Sequence, residues 1–259
     1  MNDCDIIEKN KAFYQVYAPY YDRGRSEFFR HETQRIQKDI SFINSKRDVS
    51  KAKLLDVGSG TGFYSLLAAS TGIKNIHCLD LDQHFLNLTR TKFRTQYPKT
   101  KLTCHNNDMR SFIDQYSHDT LSNFDIFFFG SVLHYVPNHE ELLQKIINVA
   151  PKSIYYLSSI PLTLGSTQSF FQSAFLRVDY LFHRLLKQPP PLVRHVPDQA
   201  TVNVNIETLA DLFMQNSFEV YTYNYTTFHS SIFNVITKPI KNIFPSIGTH
   251  STLIATPKE

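Results

Sequence analysis

The segment Asp56-Val57-Gly58-Ser59-Gly60-Thr61-Gly62 constrains the fold of this chain more than any other, because it packs three glycines into five residues. Ahead of it runs Lys53-Leu54-Leu55-Asp56-Val57, short and mostly apolar, which reads as a buried strand. Behind it Phe63 to Ser70 reads as a helix, with Gly72 placed to close it. Glycine is required where the backbone adopts dihedrals that side chains resist, or where it must come very close to a ligand. A helix that begins at such a loop presents free N–H groups and the positive end of its dipole. A strand, a glycine loop and a helix in that order predict a ligand-binding turn at one end of a sheet.

The rest of the chain continues the alternation. Short apolar runs at Ile76 to Leu79, Lys101 to Cys104, Phe124 to Phe129 and Ser153 to Ser158 read as strands. Helical patterns at Gln83 to Phe93 and Glu140 to Val149 fall between them. Such alternation implies βαβ units and a parallel sheet covered on both faces. Toward the end, Ile206 to Gln215 reads as a helix, and Phe218 to Tyr225 and Ser251 to Thr256 as strands that complete the same sheet. The expected fold is α/β: a doubly wound, mostly parallel seven-stranded sheet in a single domain over residues 1–259. Residues 1–46 are expected to form an N-terminal helical lid, broken near Pro19, whose ring and missing N–H stop a helix. Residues 47–161 form the ligand-binding core, 162–200 a helical insertion after the fifth strand, and 201–259 the sheet completion. Within the insertion, Thr167 to Lys187 carries one apolar stripe and ends at Pro189-Pro190-Pro191.

Three ligand classes use a glycine loop of this kind. A phosphate loop needs Gly-Lys-Ser/Thr after its spacer, whereas Phe63-Tyr64-Ser65 follows Gly62. A dinucleotide site wants G-x-G-x-x-G, and here Phe63 stands in the sixth place. The third class has an acid two residues before the first glycine, as Asp56 does. This loop resembles the first motif of the Rossmann-like (class I) S-adenosylmethionine-dependent methyltransferases. The resemblance implies that Asp56, Gly58, Ser59, Gly60 and Gly62 shape a loop around the amino-acid and ribose portion of S-adenosyl-L-methionine. Asp80 follows Gly62 by 18 residues, at the end of the second strand. Leu79-Asp80-Leu81-Asp82 resembles the second motif, which implies Asp80 on the ribose hydroxyls and Leu81 against the adenine. Asp82 reads as a cap of the next helix. In Asn107-Asp108-Met109, the resemblance implies that Asp108 accepts from the adenine amino group, with Met109 beside it. Gly130 to Pro137 is similar to the fourth motif, which implies backbone near Gly130 meeting the methionine amino group.

Transfer from a sulfonium needs an acceptor held in line with the methyl group, and a base if that acceptor must lose a proton. His134 is the candidate base, since imidazole titrates near neutral pH. Tyr14 to Asp22 resembles the aromatic lid of many small-molecule methyltransferases. It makes Tyr17 and Tyr20 candidate cofactor contacts and Tyr21 a candidate beside the methyl group. His134 and His139 find no third ligand at metal-binding spacing, so no metal is expected.

Composition narrows the partners. The net charge of +4 comes without a basic run, so no nucleic-acid footprint is visible. Cys4, Cys78 and Cys104 form no Cys-x-x-Cys pair, which fits a reducing compartment. No stretch approaches 18 apolar residues, so no membrane span is expected. The N-terminus carries Asp3, Asp5 and Glu8 without an apolar core, unlike a secretory signal, and a cytoplasmic location follows. The 21 Phe and 14 Tyr either fill the core or in part line a substrate pocket. The Phe- and Leu-rich insertion over 162–200 is the expected acceptor side and favours an apolar or aromatic acceptor, with Arg177, Arg184, Lys187 and Arg194 leaving an anionic acceptor or a membrane surface as the alternative. The insertion stripe packs on the sheet or on a second subunit, as in a homodimer. The leading expectation is a small-molecule O- or N-methyltransferase. The alternatives are a module that binds the cofactor without transfer, and an enzyme that uses the sulfonium for electrostatics alone.

Overall fold

The computed structural model describes residues 8–14, 22, 26–115, 118–161, 204–225 and 250–258. The apolar run ahead of the glycines forms strand β1 (Lys53–Val57). The other expected runs form β2 (Asn75–Asp80), β3 (Lys101–Asn106), β4 (Ile126–Gly130), β5 (Ile154–Pro161), β6 (Phe218–Tyr225) and β7 (His250–Pro257). They build one seven-stranded sheet in the order β3-β2-β1-β4-β5-β7-β6. The first five strands are mutually parallel, and β7 runs antiparallel between β5 and β6. The chain moves outward from β1 to β3, then crosses back to β4 on the other side of β1. That reversal opens a crevice beyond the carboxyl ends of β1 and β4, where open α/β sheets hold ligands.

Among the described residues, α1 (8–14) and α2 (Ser26–Lys46) precede the sheet. Next come α3 (Phe63–Ser70), α4 (Gln83–Gln96), α5 (Met109–Gln115), α6 (His118–Leu121), α7 (His139–Val149) and α8 (Ile206–Gln215). Successive strand residues face opposite sides, so the sheet carries two cores. Leu55, Val57, Phe127, Phe129, Tyr155 and Leu157 meet α5, α7 and α8 through Phe112, Leu143, Ile146 and Phe213. On the other face, Leu54, Cys78, Phe128 and Tyr156 meet α2, α3 and α4 through Ile36, Ile40, Tyr64, Ala68, Leu86 and Phe93. Burying one such Phe or Leu side chain contributes roughly 1.5–3 kcal/mol. Much of the aromatic excess belongs here: Phe127 and Tyr155 stack with centroids 5.3 Å apart, and Phe213 and Phe218 close around them.

One interface is polar. Arg35 of α2 donates to Asp39 (2.9 Å), to Ser158 of β5 (2.7 Å) and to Thr252 of β7 (2.8 Å), and also pairs with Glu32. Tyr156 and Tyr223 donate to the Asp39 carboxylate at 2.7 and 2.6 Å. Burial raises the Asp39 pKa, while the two tyrosines and Arg35 oppose that rise. This network joins α2 to three strands that are remote in sequence.

Several element boundaries move by one to three residues relative to expectation, and β4 shifts at both ends. Strand β4 starts at Ile126 rather than Phe124, because the Phe124 N–H turns back to donate to the Leu121 carbonyl at 3.1 Å. It also runs one residue further, to Gly130. The insertion helix over Thr167 to Lys187, and Tyr17, Tyr20 and Tyr21 of the expected lid, lie outside the described residues.

Candidate functional site

The glycine loop leaves β1 and turns into α3. Gly58 and Gly62 have φ of +65° and +82°, where side chains are strained. A Cβ on Gly58 would also lie 2.3 Å from Val132 Cγ2, and one on Gly62 2.7 Å from Thr89 Cγ2. Both positions therefore exclude any larger residue. The loop is tied to β2, since Gly58 and Ser59 donate their N–H groups to the Leu79 carbonyl at 2.8 and 3.1 Å. At the end of β2, Asp80 accepts from the Gly60 N–H at 2.7 Å and from the Asp82 N–H at 2.9 Å, one bond to each oxygen. A carboxylate has about four lone-pair sites, so acceptor capacity remains on the side that faces the cavity. Burial pushes the Asp80 carboxyl up to about 6. Asp82 caps α4 by accepting from the His84 and Phe85 N–H groups, as expected.

A cavity of about 140 Å³ opens at this point, between the ends of β1, β2 and β4. Of the residues singled out in the sequence, Gly58, Gly60, Asp80, Leu81, Asp82, Met109 and Gly130 line it. Leu81 lines it and is 39% exposed. Gly130 has a second constraint: a Cβ there would lie 2.3 Å from the Tyr64 ring packed beneath it.

The other candidates sit around this wall without lining it. Asp56 is fully buried, on the strand face opposite Val57. One of its oxygens accepts from Ser65 at 2.6 Å, and the other has no hydrogen-bond partner among the described residues. Burial pushes its carboxyl up to about 7, and nearby Asp80 adds to the rise. The Ser59 hydroxyl is likewise buried without a partner. Gly62 packs on Thr89 at the start of α3. Asp108 uses one oxygen to accept from the Ser111 N–H at 2.9 Å, at the start of α5, and Asn107 lines the cavity instead. His134 is buried in a 3-10 turn (Leu133–Tyr135), its ring 3.8 Å from that of Tyr135, and Tyr135 rather than His134 lines the cavity.

Sequence reasoning missed the aromatic frame. Tyr14 of α1 packs edge-on against Phe85 (5.7 Å) and Tyr135 (6.1 Å), and all three rings line the cavity. Tyr14 opened the segment that resembled a lid, but the tyrosines chosen lay further along it. The Asp82 cap was the available signal for Phe85, because it sets Phe85 in the first turn of α4, beside Asp80.

The lining combines the carboxylate residues Asp80 and Asp82, Lys11, loop backbone and apolar plates formed by Leu81, Phe85, Met109 and Val132. Two buried oxygens without partners among the described residues, on Asp56 near the end of β1 and on Ser59 in the loop, flank the turn. This donor set fits a nucleoside with a polar, amine-bearing tail. Asp80 would hold the ribose and the apolar plates the base, with loop backbone beside the tail.

Comparison with known proteins adds three findings. A family model described as a methyltransferase domain matches residues 48–189, more than half of the chain. A comparison with curated proteins finds no match. Among solved structures, the fold is similar to the S-adenosylhomocysteine-bound magnesium protoporphyrin IX methyltransferase of Synechocystis PCC 6803. The TM-score is 0.63 at 14% identity, covering 98% of this chain and 100% of that one. It is also similar to a SAM dependent methyltransferase from Archaeoglobus fulgidus, with a TM-score of 0.55 at 14% identity over 92% of this chain and 100% of that one. At such identities the likeness is one of fold.

Proposed function

The chain belongs to the methyltransferase-domain family, enzymes whose methyl donor is S-adenosylmethionine, and we propose that it methylates an oxygen or nitrogen of a small apolar or aromatic acceptor. The observation that carries this reading is Asp80. Its carboxylate closes β2, is oriented by the Gly60 N–H, and faces a cavity that the exposed Leu81 also lines.

The residues divide the work. Asp80 accepts from the ribose hydroxyls, and charge-assisted bonds of this kind contribute about 1.5–3 kcal/mol. Leu81, Phe85 and Met109 supply apolar surface to the adenine. Asp108 keeps an oxygen for the adenine amino group while its other oxygen caps α5. The backbone at Gly58, Gly60 and Gly130 approaches the amino-acid tail, with Asp56 and Ser59 behind it. The cofactor supplies an electrophilic methyl group on its sulfonium. The protein holds the acceptor atom on the methyl axis and excludes water. An alcohol or amine acceptor gives up its proton to a base. His134, one residue before the cavity-lining Tyr135, is our candidate, and Tyr21 is the second residue we propose at the methyl group, on the resemblance of its segment alone. Tyr17 and Tyr20 are proposed cofactor contacts, and residues 162–200 the proposed source of acceptor specificity.

The apolar acceptor is supported by the frame of Tyr14, Phe85 and Tyr135, which offers ring faces and edges rather than charge. A cytoplasmic location is part of the same reading. Among the described residues no helix is long and apolar enough to cross a membrane.

Isothermal titration with S-adenosylmethionine and S-adenosylhomocysteine tests the premise, and no heat at millimolar ligand overturns it. Labelled-methyl transfer across a panel of phenols, amines and carboxylic acids tests the reaction. Binding without transfer to any of them would replace the enzyme by a cofactor-binding module.

A further inference from the structure

Asp22 stands apart from the cavity, yet it is bonded to the glycine loop. Its Oδ1 accepts from the Thr61 hydroxyl at 2.5 Å, and its Oδ2 lies 2.6 Å from the Lys92 ammonium. Lys92 also donates to the Thr61 carbonyl at 2.9 Å, so the three groups close a ring of contacts. One residue earlier, Thr89 donates to the Gly60 carbonyl at 3.1 Å. Thr61 is buried, with 1% of its surface exposed. Lys92 and Thr89 both project from α4, the helix that Asp82 caps directly after Asp80.

We infer that Asp22 is a positioning residue for the cofactor: with Lys92 it clamps Thr61 and so holds the neighbouring Gly60 N–H on the Asp80 carboxylate. The inference rests on the reading above, in which Asp80 holds the ribose. The three glycines of the loop have no side chains to fix their dihedrals, and each gives up more backbone entropy on ordering than any other residue. Something outside the loop must supply that order if the ligand is not to. The contacts on residues 60 and 61 supply it from two elements, α4 and the N-terminal segment. The Gly60 N–H points to Asp80 at 2.7 Å, and Thr61 follows it directly, so a loose Thr61 lets Gly60 leave Asp80. The Asp80 carboxylate would then lose one of the bonds that aim it into the cavity. Asp22 does not line the cavity, so this effect passes through Thr61 and not through direct contact.

The clamp also gives the N-terminal segment a second attachment. Tyr14 lines the cavity beside Phe85 and Tyr135, and Asp22, eight positions on, grips the loop across the cavity wall. The segment that carries Tyr17, Tyr20 and Tyr21 is thus bounded by two residues with fixed partners.

The test is a double-mutant cycle on S-adenosylhomocysteine affinity, with Asp22→Ala, Thr61→Val and the double variant, read by titration calorimetry. Each single change is expected to weaken binding roughly five- to ten-fold, less than the full effect of one lost charged hydrogen bond, because the loss reaches the ligand only through the loop. The double variant should bind about as well as the weaker single variant, because both remove the same clamp. Amide exchange over residues 58–62 should quicken in Asp22→Ala at unchanged global stability. Lys92→Met, at a half-buried position on the face of α4 that meets the loop, opens the clamp from its other end and should give the same loss; it serves if Asp22→Ala fails to fold. Equal affinity of wild type and Asp22→Ala, or losses that multiply in the double variant, overturn the clamp alone. A wild-type protein that binds no S-adenosylhomocysteine overturns the reading of the cavity itself, and the clamp with it.

Discussion

At the scale of single residues, the carboxyls at the loop trade stability for binding. Asp56 and Asp80 have pKa values of about 7 and about 6, both raised above 3.8 by burial. A carboxyl whose folded pKa lies above its unfolded value favours the folded state at low pH, and that contribution fades as pH rises through the folded pKa. These two groups therefore make the ligand-free protein less stable as pH climbs from about 4 to about 7. Asp80→Asn should melt higher than wild type at pH 8 without ligand, and scanning fluorimetry reads this directly; an equal or lower melting temperature would contradict it. Asp80→Ala should weaken S-adenosylhomocysteine binding roughly ten- to a hundred-fold, and unchanged affinity would move the ribose contact elsewhere. His134 calls for a different readout. His134→Ala should lower turnover in the labelled-methyl assay more than it lowers cofactor affinity. Unaltered turnover would assign its buried ring to packing against Tyr135.

At the scale of elements, helix α4 is the backstop of the site. Its cap Asp82 satisfies two N–H groups of the first turn, and its face carries Phe85, Thr89 and Lys92 to the cavity and the loop. Removing such a cap costs about 1 kcal/mol. Asp82→Ala should lower the melting temperature by roughly 2–4 °C, the shift expected for a domain of this size. It should also weaken S-adenosylhomocysteine binding, because the loop is held by the same helix. A melting change without an affinity change would show that loop and helix are independent. Strands β2 and β3 carry a second titrating pair: His77 Nδ1 and His105 Nε2 lie 2.9 Å apart across the sheet. Burial lowers both pKa values, His77 to about 4, and Lys53 adds to each shift. A lowered imidazole contributes stability above its unfolded pKa of 6.5 that is lost as pH falls toward 4. The margin of wild type over His77→Gln should therefore shrink between pH 6.5 and 4.5, and a margin constant over that range would contradict the pairing.

At the scale of the whole molecule, ligand binding and folding are one equilibrium. S-adenosylhomocysteine at a hundred times its Kd should add about 2.7 kcal/mol to stability, and a melting curve unmoved at that concentration would contradict binding to the folded state. The sheet and its glycine loop were legible in the sequence because they depend on local patterns. Period-two and helical runs need only neighbouring residues, and so does the Asp82 cap. The strand after the loop, Asp80 at its end and the Leu81 beyond it followed in turn. The order β3-β2-β1-β4-β5-β7-β6 agrees with the expected parallel sheet, but its details rest on contacts between distant segments. The same is true of the polar network of Arg35, which joins α2 to Ser158 and Thr252. Which residues face the cavity was a tertiary decision as well. Tyr14, Phe85 and Tyr135 are far apart in the chain and meet only because α1, α4 and the turn after β4 converge. Asp56 and Asp108 carry the expected chemistry, yet the pleat turns one to the opposite face and a helix start occupies one oxygen of the other. By itself the sequence determined a parallel α/β sheet with a glycine loop at a strand end, since backbone dihedrals and side-chain periodicity are properties of consecutive residues. Only the tertiary structure decided that Asp80 is aimed by Gly60 and that Asp22 reaches Thr61, since a hydrogen bond between residues 39 positions apart exists only once the chain has folded back on itself.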